Sequence, residues 1–212
     1  MRVRGFHGMI LGAAVLMSAG TALAEDAAPL DGKKLFLTKT CVACHGKDGS
    51  KAILKYPNIA AQDAKYLAAQ IKDIKAGTRV ATKGDDGNPR TKGMADVLHL
   101  VDDAQIDAIS TWLAGLPAPA PAAVENAERV AQGAELYKKS GCVTCHGPDG
   151  KKPLATYPKL AGAKKDYAAL QIKDIRDGVR TNGKSKLMVS FAKKLNDEQI
   201  ELISEYLGTV AQ

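Results

Sequence analysis

Cysteine is scarce in this chain, with four residues in 212. That excludes a disulfide-dense scaffold. Apolar residues make up 45% and charged ones 25%, which excludes wholesale disorder and collagen-like repetition. After residue 24 no apolar stretch approaches the roughly 20 residues needed to span a bilayer. No convincing period-two alternation marks a β-strand. Charge of one sign does not dominate either: 30 Lys+Arg against 23 Asp+Glu leave +7. A solvated lysine-rich surface accounts for that balance, so nucleic acid is not an expected partner.

The long apolar run that is present lies at the start. Arg2 and Arg4 form a short basic segment, Met9 to Ala19 is almost wholly apolar or small, and Ala22-Leu23-Ala24 is an A-x-A cleavage pattern before Glu25. Residues 1–24 are therefore expected to be a cleaved signal peptide that sends residues 25–212 to the periplasm. Loss of Arg2 and Arg4 lowers the formal charge to +5. Export also removes His7, Met1, Met9 and Met17. What stays is His45, His99, His146, Met94, Met188 and all four cysteines.

The rest of the chain repeats itself. A shift of 101 residues lays Cys41-Val42-Ala43-Cys44-His45-Gly46 on Cys142-Val143-Thr144-Cys145-His146-Gly147, Tyr56-Pro57 on Tyr157-Pro158, and Tyr66 on Tyr167. It also lays Gln70-Ile71-Lys72-Asp73-Ile74 on Gln171-Ile172-Lys173-Asp174-Ile175, and Gly77 and Arg79 on Gly178 and Arg180. From Leu35 to Arg79, 21 of 45 positions are identical. The first copy then carries seven extra residues around Gly84-Asp85-Asp86-Gly87, after which an offset of 94 pairs Met94 with Met188, Asp103 with Asp197, and Trp112 with Tyr206. Two similar lobes are expected, residues 25–116 and 125–212. They are joined by the Pro/Ala stretch 117–124, whose composition favours an extended, semi-rigid connector.

Each lobe reads as helical. Leu67, Ile71 and Ile74 fall at i, i+4, i+7 before a stop at Gly77, and Ile172 and Ile175 repeat this before Gly178. Asp102 with Gln105 predicts a capping box opening a helix with Ile106, Ile109 and Leu113 on one face. Asn196, Gln199, Ile200, Ile203 and Leu207 predict the same in the second lobe. Helices are also expected to lead into each cysteine pair, around Lys33–Thr40 and Glu128–Ser140.

Two C-x-x-C-H motifs consume every cysteine. This spacing is the attachment signal of c-type haem. Two thiols three positions apart on a helical turn face the same way and can add to the two vinyl groups of one haem, and the adjacent histidine reaches the iron. A thioredoxin-like redox pair, a zinc site or structural disulfides would not require a histidine directly after the second cysteine, nor its recurrence in register. Two haem c groups are expected, held by Cys41, Cys44, Cys142 and Cys145, with His45 and His146 as axial ligands. Met94 and Met188, the two exported methionines, occupy equivalent positions and are the expected sixth ligands. His99 faces Lys193 in the repeat, breaks the pattern, and reads as a surface or outer-shell residue. A thioether ligand raises the reduction potential relative to more electron-rich axial sets. Six-coordinate iron leaves no place for a substrate, so an electron-transfer protein is expected rather than an enzyme. Pro57 and Pro158 either shape a turn or offer a carbonyl to the axial imidazole. Arg79 and Arg180 either pair with haem propionates or end a helix at the surface. Trp112 and Tyr206 read as core residues rather than electron relays.

With these motifs in place, the chain resembles the class I dihaem cytochromes of the cytochrome c4 family over essentially all of residues 25–212. The likeness rests on Cys41-Val42-Ala43-Cys44-His45-Gly46-Lys47-Asp48-Gly49 and Cys142-Val143-Thr144-Cys145-His146-Gly147-Pro148-Asp149-Gly150. It rests also on Tyr56-Pro57-Asn58-Ile59-Ala60 and Tyr157-Pro158-Lys159-Leu160-Ala161-Gly162, and on Gly93-Met94 and Leu187-Met188. One departure is Ala61-Gln62 where the second lobe has Gly162-Ala163. The resemblance implies an all-α pair of tandem cytochrome c-like domains related by a pseudo-twofold, with haems near the lobe interface. It implies a periplasmic carrier that accepts electrons from a bc1-type complex and delivers them to a terminal oxidase. The alternative is the dihaem electron-accepting subunit of an exported dehydrogenase, such as a flavocytochrome sulfide dehydrogenase. A monomer is expected, and peripheral membrane association stays open. Formal charge is uneven, +1 in residues 25–116 and +4 in residues 125–212. That asymmetry would orient docking, the second lobe favouring an acidic partner surface.

Overall fold

Local capping chemistry sets where the helices begin. In the computed structural model, which describes Met1, residues 29–154 and residues 156–212, Asp31 accepts from Lys34 N at 3.0 Å and opens α1 (Gly32–Thr38). Residues 2–24 of the expected signal peptide lie outside the described residues. The first cysteine motif forms α2 (Cys41–His45). Asp63 caps α3 (Ala64–Lys75), which closes at Gly77 with φ 71°. A short α4 (Lys92–Val97) runs into a 3-10 turn, Leu98–Leu100. The Asp102–Gln105 capping box opens α5 (Asp103–Ala114). The second half repeats the order: α6 (Ala127–Lys139), α7 (Val143–His146), α8 (Lys165–Arg176), α9 (Ser185–Ala192) and α10 (Asp197–Thr209). The box at α10 is Asn196 with Gln199. No β-strand forms among the described residues; an isolated antiparallel bridge between Lys83 and Pro89 closes the insertion of the first lobe.

The apolar stripes meet in two separate cores. Phe36, Leu67, Ile74, Ile106, Ile109 and Leu113 anchor one; Tyr137, Ile172, Ile175, Ile200, Ile203 and Leu207 anchor the other. Trp112 packs on Phe36, ring centroids 5.2 Å apart, and Tyr206 on Tyr137 at 5.8 Å, so both aromatics serve as packing residues. In each lobe the first and last helices cross at a glycine. A Cβ on Gly32 would lie 2.2 Å from the Ala108 carbonyl oxygen, and one on Gly133 would lie 2.1 Å from that of Leu202. Only a residue without a side chain lets these backbones approach so closely.

The stretch 117–124 has no regular structure. Pro119 is buried, and the Ala122 N–H donates to the Gly208 carbonyl at 2.8 Å, which lays the connector along α10. The lobes then exchange matching contacts. Arg79 Nη2 donates to Tyr167 Oη at 2.7 Å, and Arg180 Nη2 donates to Tyr66 Oη at 3.3 Å. Residue i of one half touching j of the other, and the equivalent of j touching the equivalent of i, is the signature of a twofold contact. Gln62 breaks the symmetry: its side chain donates to the Lys159 carbonyl at 2.9 Å and accepts from Lys159 N at 3.0 Å. No helix among the described residues is long and apolar enough to cross a membrane.

Candidate functional site

A cavity of about 1540 Å³ runs through both lobes. Its lining includes Cys41, Cys44, His45 and Met94 from the first lobe and Cys142, Cys145, His146 and Met188 from the second. All eight residues singled out from the sequence are thus gathered on one surface. Apolar side chains from α3, α5, α8 and α10, among them Leu67, Ile109, Ile172 and Leu207, complete it. His99 is not in the lining; it is exposed and its Nδ1 lies 2.8 Å from the Asp96 carbonyl.

Each cysteine pair sits on a single helical turn whose start is fixed by backbone in the left-handed region, Thr40 (φ 66°) in one lobe and Gly141 (φ 80°) in the other. All four thiols are free of disulfides and half-buried. Burial raises the Cys41 thiol above its usual range and pushes Cys142 up to about 11.

The two imidazoles are held alike. His45 Nδ1 donates to the Pro57 carbonyl at 3.0 Å, and His146 Nδ1 donates to the Pro158 carbonyl at 3.0 Å. A carbonyl can only accept, which places the proton on Nδ1 and leaves Nε2 with its lone pair. Burial lowers the pKa of both rings, against a smaller opposing effect of the proline carbonyls, so both are neutral donors near pH 7. The two prolines therefore do more than shape a turn.

Arg79 and Arg180 are not surface residues. They are 8% and 7% exposed and line the cavity where the lobes meet. Their hydrogen bonds go to neutral groups. Arg79 donates to Tyr167 and Gln171; Arg180 donates to Tyr66, Gln70, Gln171 and Asn182. Burial tends to raise the Tyr66 phenol, but the two guanidiniums together outweigh it and hold its pKa low. Asp174, 2% exposed, accepts from Thr82 N across the interface at 3.3 Å.

No motif assigns a role to Tyr66, Gln70 and Asp73, or to Tyr167, Gln171 and Asp174. Their signal is subtler: each trio falls at i, i+4, i+7 on α3 or α8 and is identical in both copies. A polar stripe at helical spacing retained in a repeat marks a face that both copies use.

This donor set fits a haem in each lobe. The paired thiols share a turn, a neutral imidazole presents Nε2, and a thioether lines the same apolar cavity. Two buried guanidiniums supply the positive charge that an anionic edge needs when taken out of water.

The comparisons with known proteins point the same way. The family profile described as Cytochrome c matches residues 30–117 and again 130–211. A cytochrome c4 of Azotobacter vinelandii is 35% identical over 191 residues, covering 87% of this chain and 89% of its own. A thiosulfate dehydrogenase electron acceptor of Stutzerimonas stutzeri (strain A1501) is 30% identical over 226 residues, covering 99% of this chain and 98% of its own. Among solved structures, reduced recombinant cytochrome c4 from Pseudomonas stutzeri matches with a TM-score of 0.71 at 30% identity, covering 84% of this chain and 96% of that one.

Proposed function

This chain belongs to the cytochrome c family, as a dihaem class I member of the cytochrome c4 group, and we propose that it is a periplasmic carrier moving electrons from a bc1-type complex to a terminal oxidase. It carries two haem c groups, one per cytochrome c domain, each supplying an iron that changes valence by one electron. The chain divides into an N-terminal domain over 25–116, a connector over 117–124 and a C-terminal domain over 125–212, after cleavage of 1–24. Cys41 and Cys44 hold one haem through thioethers, Cys142 and Cys145 the other. His45 and Met94 would hold the iron of the first lobe, and His146 and Met188 that of the second. The Pro57 and Pro158 carbonyls orient the imidazoles, and Arg79 and Arg180 neutralise propionates at the interface.

The observation that carries this reading is the pairing, in both lobes, of a proline-held imidazole with a methionine lining the same cavity. A ligand set closed on both faces favours passing electrons over binding a substrate, and no catalytic residue is assigned. An optical redox titration tests it. The oxidised protein should be low-spin, and the weak long-wavelength band of Met–Fe(III) should fall by about half in Met94→Ala and again in Met188→Ala. A double variant that keeps the full band would refute the axial assignment.

A second reading has its own support. The thiosulfate dehydrogenase electron acceptor of S. stutzeri is similar over nearly the whole chain. In this reading the protein accepts electrons from an exported dehydrogenase of a reduced sulfur compound, as a partner or a subunit. Copurification with such a dehydrogenase, or faster reduction by it than by a bc1-type complex, would favour this reading over the first.

A further inference from the structure

The hydrogen bonds at the lobe interface are lopsided. Gln70 on α3 and Gln171 on α8 occupy the same place in the repeat. The Gln70 side-chain oxygen accepts from Arg180 Nη2 at 2.8 Å and from Asn182 Nδ2 at 3.2 Å, both in the second lobe. The Gln171 oxygen accepts from Arg79 Nη2 at 3.0 Å and from Arg180 Nη1 at 2.8 Å, one guanidinium from each lobe. Two buried cations thus converge on one neutral atom, with donor nitrogens within about 6 Å of each other, where their repulsion is poorly screened. Hydrogen bonds from charged donors are the strong kind, so the shared oxygen fixes both heads. Asn182 explains the asymmetry: its place in the first lobe is taken by Ala81, which can make no such bond.

We propose that Gln171 is a positioning residue for electron transfer, coupling the two haem sites by tying Arg79 and Arg180 to a single oxygen. This rests on the reading that both guanidiniums face haem propionates. A site that gains one electron becomes one charge more negative and draws its guanidinium inward. The pull on a shared acceptor then displaces the other guanidinium. Gln70 ties no guanidinium of the first lobe and passes nothing between sites.

The test is a redox titration of the two-haem protein carrying Gln171→Leu or Gln70→Leu, with haem content and thermal unfolding recorded alongside. Gln171→Leu should move both midpoint potentials, each by a threefold or larger change in the reduction equilibrium, about 30 mV at 59 mV per tenfold for one electron. Gln70→Leu should move one. If Gln171→Leu moves one midpoint or neither, or if Gln70→Leu moves both equally, the proposal is overturned. Should Gln171→Leu fail to load haem, Gln171→Glu replaces it. That variant keeps an acceptor in place and adds a negative charge beside both heads; both midpoints falling supports the coupling, and one falling overturns it. Arg79→Gln and Arg180→Gln separate the two levels. If neither moves a midpoint, the propionate reading falls with the proposal. If they do and Gln171→Leu does not, the coupling alone falls.

Discussion

Thr40 and Ala61 hold left-handed backbone, φ 66° and 60°, where the second lobe places Gly141 and Gly162 at φ 80° and 70°. The same turn is therefore built twice, once with the residue that adopts it freely and once at a steric cost of roughly 1–2 kcal/mol. Gly162 isolates that cost, because a Cβ there would meet nothing nearer than 3.7 Å. Gly162→Ala should lower stability by about 1 kcal/mol, a fall in Tm of about 4–8 °C for a domain of this size. Ala61→Gly should lose nothing and can gain up to about 1 kcal/mol, since relief of strain offsets the added freedom of the unfolded chain. Thermal unfolding of the two variants checks both signs. The neighbouring departure from the repeat, Gln62 for Ala163, also has a use: its side chain clamps the Lys159 backbone of the other lobe.

At the scale of elements, the readable features were the local ones. Capping boxes at Asp102–Gln105 and Asn196–Gln199 formed as their spacing predicts, and the stripe Ile106–Ile109–Leu113 is buried. These depend on neighbours within one or two turns, so the chain's order alone specifies them. The crossing of α6 over α10 depends instead on Gly133 meeting Leu202, 69 residues further along the chain, and Gly133 carries no local sign of it. Gly133→Ala should cost about 3 kcal/mol, because the intruding methyl meets backbone rather than a movable side chain. Loss of the second lobe's cooperative melting, followed by circular dichroism, would register it; an unchanged melting temperature would mean the helices do not cross there. The stripe Tyr167–Gln171–Asp174 shows the opposite failure. Its pattern is visible, but a polar helical face reads equally as solvated, and only the first lobe's position shows what it meets.

For the whole molecule, charge is the property that reaches beyond its own surface. The +1 and +4 of the two lobes are offset by haem propionates, about two negative charges per haem, without removing the difference between lobes. Association with an acidic redox partner should slow by about tenfold or more as ionic strength rises from low to molar salt, because the screening length shrinks from about 30 Å to about 3 Å. Charge reversal of exposed lysines in the second lobe, Lys186→Glu or Lys193→Glu, should flatten that dependence more than Lys47→Glu or Lys51→Glu in the first. Stopped-flow reduction across a salt series measures it; rates indifferent to salt would remove the electrostatic account of docking.

What the chain determined by itself was the chemistry and its multiplicity. Covalent attachment needs thiols at one fixed spacing beside a histidine, and duplication writes that need twice, so cofactor type, number and candidate ligands could be read from order alone. Which helices cross at a glycine, which carbonyl steadies each imidazole, and that Arg79 and Arg180 turn inward to meet at Gln171 were decided by the tertiary structure. The reason is physical. A buried cation or a backbone carbonyl has no sequence signature of its environment; its partners come from segments as far as 110 residues away, and only folding brings them within 3 Å.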